Sequence, residues 1–291
     1  MKLLRERVNT EPDPPAATES PAIERLNSAK AWIFDMDGVL YRGNAPLPGA
    51  IDLFATLQLR SIPFRLATNN STLTPEQYVK KLRKMDLDVP VEWIVTSGVA
   101  TRQYLLHRFP KGSPIYVVGE QALFDQLFQS DDLVQANGTD LQATAVVAGL
   151  DRSFTYDKLS EAHRQIQNGA AFVATNSDVT LPTEHGLEPG CGSLIAAIQA
   201  STGVVPAFVG KPETLMFDEI CRSLNVLPSD VVSVGDRLDT DIVAGSRSGT
   251  LALLVLTGVS TRADIAHAEA RPDLVFTDLN AVLAAIQSPV S

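Results

Sequence analysis

The stretch AWIFDMDGVLYRG, Ala31 to Gly43, decides how the rest of the chain is read. Three apolar residues, Trp32, Ile33 and Phe34, run straight into two carboxylates, Asp35 and Asp37, and a glycine follows. Asp and Gly are ordinary turn residues, so the fragment alone reads equally well as a turn. Polar clusters closing other apolar runs of the chain would favour a different reading.

Such runs recur. From Lys30 onward short apolar runs alternate with amphipathic segments: AWIF before a helical pattern at Ala50 to Leu59, then FRLAT (Phe64 to Thr68) before TPEQYVKKLRKM. There Thr74 is suited to cap a helix, Pro75 to its first position, and Gln77 sits three residues after the cap. WIVTSG precedes a helical pattern at Val99 to His107, and VVSVGD (Val231 to Asp236) and LALLVLTG come late. Nearly continuous apolar runs suit strands buried on both faces of a parallel sheet. Their alternation with helices predicts a doubly wound, Rossmann-like α/β fold.

The middle of the chain carries its own candidates: PIYVVG, ATAVVAGL, DKLSEAHRQIQNG and AAFVATN. The expected organisation is a flexible arm at 1–28, a core from 29–106 and 206–291, and an α/β unit inserted at 107–205. Within that unit Thr175 to Gly192, with its glycines and prolines, reads as a shaped loop rather than a strand.

The 291 residues include 45% apolar and 20% charged types, as in a soluble globular protein. A net charge of −10 argues against nucleic acid or an anionic membrane as partner, while leaving room for a locally positive pocket. No apolar run approaches the roughly 18 residues of a membrane span. Cys191 and Cys221 imply no disulfide framework, and the first residues lack a signal-peptide core, so a cytoplasmic location is expected.

Four polar clusters follow or close the apolar runs: Asp35 with Asp37, Thr68-Asn69-Asn70, Lys211-Pro212, and GDRLDTD with Asp236 and Asp241. Ligands of an open parallel sheet bind beyond the C-terminal strand ends. Four strands ending this way would aim several carboxylates, an amine and a hydroxyl at one point, a costly arrangement unless a cation sits there. Hard oxygen ligands suit Mg²⁺, and a lysine with backbone N–H groups beside it suits a phosphoryl group.

The Asp-x-Asp pair resembles motif I of the haloacid dehalogenase (HAD) superfamily. DMDGVLYRGNAPLPGA is similar to the NagD-like and phosphoglycolate/4-nitrophenyl phosphatase subgroup, HAD-IIA. Thr68 matches motif II, Lys211 motif III and GDRLDTD motif IV. VATNSDVTLPTEHGLEPGCGSLIAAI resembles the subgroup's cap sequence, with Ser177 where proline is usual. The resemblance spans about Ala31 to Leu283 and implies the following roles. Asp35 is the nucleophile that forms an aspartyl-phosphate, and Asp37 the general acid and base. Thr68, Asn69 and Asn70 hold phosphoryl oxygens, and Lys211 offsets charge. Asp35, Asp37, Asp236 and Asp241 bind Mg²⁺. Asn176, Asp178 and His185 belong to the cap loop that meets the substrate. Cap-mediated homodimers are implied as well.

Competing motifs fail on their residues. The stretch before Lys211 is no P-loop, because Val205 stands at the first glycine position and Pro212 follows the lysine. GSRSG at 245–249 has Arg247 where a hydrolase elbow needs serine. Only residues 38 to 67 separate motifs I and II, too few for a cap, whereas 71 to 210 separate motifs II and III. That is the C2 cap arrangement of small-molecule phosphatases. No Lys or Arg lies between Arg164 and Lys211, while Asp178, Glu184 and Glu188 do, so a polyanionic leaving group is disfavoured on the cap side. The expected activity is Mg²⁺-dependent hydrolysis of a small phosphorylated metabolite. Sugar-phosphate or nucleoside-monophosphate hydrolysis of the NagD type is the alternative. A binding or regulatory protein on an inactive scaffold is the reading from another class, opposed by the intact motifs.

Overall fold

The computed structural model describes residues 21–183 and 186–287. The first sheet starts at β1 (Ala31–Phe34), followed by a small hairpin of β2 (Tyr41–Arg42) and β3 (Ala45–Pro46), then β4 (Phe64–Thr68) and β5 (Ile94–Thr96). The chain next builds a second sheet from β6 (Ser113–Val118), β7 (Leu133–Gln135), β8 (Ala145–Ala148) and β9 (Ala171–Ala174). A hairpin of β10 (Thr180–Thr183) and β11 (Gly186–Pro189) follows, and β12 (Ala207–Phe208) completes that sheet. It returns to the first with β13 (Val231–Gly235), β14 (Leu251–Val255) and β15 (Leu274–Phe276). The first sheet has the order β15-β14-β13-β1-β4-β5 and the second β12-β9-β8-β6-β7, both parallel throughout. This is the Rossmann-type α/β fold expected. Successive strands run outward from β1 in both directions, which leaves a crevice at its C-terminal end.

Period-two burial explains how the sheets stack. Trp32 and Phe34 of β1 point to one side, where Trp32, Phe34, Phe54, Phe64 and Trp93 form a chain of ring contacts. Ala31 and Ile33 point to the other. There they share one apolar cluster with Ile115, Val117 and Val147 of the second sheet, bridged by Leu105, Leu127, Met216 and Phe217 from intervening helices. The alternate residues Tyr116, Val118 and Val146 face away, onto Ala162, Ile166, Ile195 and Ile198.

The helix at Ala50–Leu59 has the bounds read from the sequence. The next, Pro75–Arg83, carries the expected capping box: Thr74 Oγ1 accepts from Gln77 N–H, and Gln77 Oε1 accepts from Thr74 N–H at 2.8 Å. The helix expected at Val99 spans Ser97–Arg108, because Thr96 caps it. Two expectations need correction. Residues 21–28, assigned to the arm, form a helix that buries Ile23 and Leu26 against the core, and residues 1–20 lie outside the described part. The segment 175–192 is not all loop, since β10 and β11 pair antiparallel inside it. Pro182 and Pro189 are tolerated because both strands of a lone hairpin are edges.

Candidate active site

Each motif residue sits at or just past the end of a strand. Asp35 and Asp37 follow β1, Thr68 ends β4, Lys211 follows β12, and Asp236 follows β13. Asp241 lies one tight turn further, in Leu238–Ile242. The turn after β1 needs its glycine. Gly38 has φ +86°, and a Cβ there would lie 2.5 Å from Asp236 Oδ2. The paired acids thus end a central buried strand, and Gly38 lets their turn approach another acid closely.

At the floor, Lys211 Nζ contacts Asp35 Oδ1 at 2.5 Å and Asp241 Oδ1 at 2.7 Å, and donates to Ala67 O at 3.1 Å. Asp241 Oδ2 accepts the N–H groups of Asp236 and Arg237 at 3.2 and 3.1 Å. Asp236 Oδ2 accepts Val259 N–H at 2.7 Å. Asp35, Asp236 and Asp241 each bring one carboxylate oxygen within 4.8 Å of the others.

Burial raises Asp35 well above the ordinary carboxylate range, with Asp241 and Asp236 adding to it and Lys211 opposing. Burial and the charge of Asp241 push Asp236 up to about 7. Burial works against the Lys211 ammonium, but Asp241 and Asp35 outweigh it and hold the amine above its ordinary value. Three carboxylates around one ammonium are hard oxygen donors with an excess of negative charge. That donor set fits a divalent cation such as Mg²⁺.

Asp37 presents its side chain to the cleft, yet burial of its surroundings raises its carboxyl above the usual range, with Lys81 and Arg42 pulling it back. A raised carboxylic acid suits a group that must give up a proton. The cleft above these residues encloses about 460 Å³.

The candidate phosphate loop is tied to the cap loop. Asn69 Nδ2 donates to Lys211 O at 2.8 Å and to Asp178 Oδ2 at 3.2 Å, and Asn69 O accepts from Asn176 Nδ2 at 2.8 Å. Asn70 Oδ1 closes a local turn onto Thr72. Of the three cap-loop residues expected to meet substrate, Asp178 lines the cleft. Asn176 is buried and props the loop from behind. His185 lies outside the described residues.

The cleft also recruits Tyr41, Arg42, Tyr78, Lys81 and Arg237, which sequence reasoning missed. Tyr78 is buried and lines the cleft with Thr68. The available signal was spacing: Tyr78 and Lys81 are three apart on one helix and so share a face.

The sequence profile of haloacid dehalogenase-like hydrolases matches residues 32–131, and that of the HAD-hydrolase-like family matches 208–282. An acid sugar phosphatase of Staphylococcus aureus (strain USA300) is 39% identical over 262 residues, 90% of this chain and 100% of the relative. The 4-nitrophenylphosphatase of Thermotoga maritima superposes with a TM-score of 0.84 at 36% identity, covering 90% of this chain and 99% of that one. A glycerol phosphate phosphatase of Mycobacterium tuberculosis, solved in complex with magnesium, gives 0.81 at 31% identity over 89% of this chain and 77% of that one.

The chain belongs to the haloacid dehalogenase superfamily, in its NagD-like and 4-nitrophenyl phosphatase branch. It is a phosphatase of small phosphorylated molecules, and phosphatases of this family use a divalent metal. No helix among the described residues is long and apolar enough to cross a membrane.

Proposed function

We propose that the protein hydrolyses small phosphomonoesters through a phosphorylated Asp35, with Mg²⁺ as its metal. The observation that carries this reading is the convergence of Lys211 on both Asp35 and Asp241, beside Asp236, at the floor of a cleft that Asp37 also lines. A carboxylate will not approach a phosphate dianion unless positive charge offsets the repulsion, and Lys211 supplies part of it. Mg²⁺, held by Asp35 and Asp236, by the Asp37 backbone carbonyl, and by Asp241 directly or through water, would supply the remainder.

Thr68 and the loop after it orient the phosphoryl oxygens. Asp35 forms a bond to phosphorus as the ester P–O bond breaks, and Asp37 gives its proton to the departing alkoxide. Asp37 then takes a proton from the water that attacks phosphorus, releasing phosphate and restoring Asp35. Residues 107–205 act as the cap that limits water and shapes the leaving-group side.

Asp35→Asn is expected to lower turnover of 4-nitrophenyl phosphate by at least about a thousandfold while leaving the circular dichroism spectrum intact, because an amide is a poor nucleophile. EDTA is expected to abolish wild-type turnover and added Mg²⁺ to restore it. Turnover that survives both the substitution and exhaustive chelation contradicts the reading.

A further inference from the structure

We propose that Lys81, seconded by Arg42, is a specificity-determining residue that forms a subsite for a single carboxylate on the leaving group. The inference rests on the phosphatase reading and adds the substrate feature this cleft selects.

Four cationic side chains line the cleft, and three are already engaged. Lys211 is bound by Asp35 and Asp241. Arg237 donates to Asp239 from Nε at 3.1 Å and Nη2 at 2.8 Å. Arg42 donates from Nη2 to Thr257 O, which leaves the rest of its guanidinium fork free. Among the described residues Lys81 alone of the four has no hydrogen-bond or ion-pair partner for its ammonium. It sits half-buried, with Nζ 4.0 Å from the centroid of the Tyr41 ring. Burial pulls its pKa below the ordinary lysine value, against the attraction of Asp37. A partly desolvated ammonium with only a ring face beneath it and no hydrogen-bond acceptor gains from an acceptor that a ligand supplies.

Its position says which part of a ligand that is. Tyr41, beneath the ammonium, bridges to Asp37, and Gly38 N–H donates to Tyr41 O at 2.9 Å. Lys81 is therefore built onto the same turn as the group that protonates the leaving oxygen. Negative charge near that oxygen, rather than on the phosphoryl group at the floor, is what it meets.

The surrounding charges set the size of the ligand charge. The helix end that carries Lys81 also bears Lys80, Arg83 and Lys84, a local basic spot on a chain of net charge −10. Asp37 and Asp178 line the same cleft. One added negative charge finds Lys81 and the Arg42 fork, whereas a dianion would meet both acids as well. The acidic cap side read from the sequence and the basic core side thus select a leaving group with one carboxylate pointing at the core.

The test is a set of matched esters in which only that group changes: 2-phosphoglycolate against 2-hydroxyethyl phosphate, and 3-phosphoglycerate against glycerol 3-phosphate. Wild-type enzyme with Mg²⁺ is expected to favour the acid of each pair in kcat/KM, mainly through KM, and salt should erode the preference. Lys81→Met, which keeps the chain over Tyr41, lowers the acid-to-alcohol ratio about tenfold, and Lys81→Arg retains most of it. No wild-type turnover of 4-nitrophenyl phosphate overturns the phosphatase reading and this inference together, whereas 4-nitrophenyl phosphate turnover without a preference for the acid esters overturns this inference alone. Wild-type turnover with an acid-to-alcohol ratio that Lys81→Met leaves unchanged overturns this inference alone.

Discussion

Gly38 shows how far single residues govern this site. The Asp-x-Asp pair and the glycine were legible because all three act within a few residues of one strand end. The reason for the glycine was not, since the atom it would strike belongs to Asp236, far away in sequence. Gly38→Ala combines a left-handed backbone with that clash. It is expected to destabilise the protein by about 1–3 kcal/mol and to lower kcat, because Asp236 or the Asp35 turn must move. Thermal unfolding and 4-nitrophenyl phosphate kinetics check both; wild-type values for both would show that the turn has room to spare. Lys81 was illegible for a related reason. Surface-type residues outside motifs acquire meaning only when distant elements bring them to one cleft.

At the scale of elements, the cap hairpin was the least legible part. Two prolines and flanking glycines hid β10 and β11, and only their pairing with each other explains how proline fits. The glycines serve close approach: Gly190 and Gly192 have backbone carbonyls of Asp178 and Ser177 where a Cβ would stand, at 2.3 and 2.4 Å. They fold the chain tightly around Asp178, whose carboxylate reaches Asn69. Burial raises the Asp178 carboxyl, with the Asn69 hydrogen bond opposing. Asp178→Asn preserves the shape and an acceptor while removing charge. It is expected to raise kcat/KM for 2-phosphoglycolate about threefold or more relative to 2-hydroxyethyl phosphate, opposite in sign to Lys81→Met. A change equal for both esters would make Asp178 a structural prop only. The helix-forming signals, by contrast, were local and therefore readable, as the Thr74 capping box shows.

Across the whole molecule, the alternation of strands and helices was enough to anticipate one doubly wound parallel sheet and an inserted α/β unit, but not that the unit's own sheet is parallel as well. It did not reveal that they share packing, because period-two burial assigns a residue to a face without saying what that face meets. Ile115 and Val117 meet the same cluster as Ile33, through Met216 and Phe217. The two sheets are thus expected to unfold together. Met216→Ala, at a fully buried position between them, is expected to destabilise by about 2–5 kcal/mol and to keep a single transition. Two separated transitions in calorimetry would mean that the sheets melt independently.

Phosphorylation of Asp35 during turnover underlies every proposed step, and trapping the phosphorylated species is its sharpest test. Enzyme mixed with Mg²⁺ and ³²P-labelled substrate, quenched in acid within milliseconds and digested, is expected to carry label on the peptide containing Asp35, and Asp35→Asn is expected to carry none. Label on another residue, or an unlabelled Asp35 peptide at every quench time during full turnover with Asp35→Asn equally active, would contradict the account.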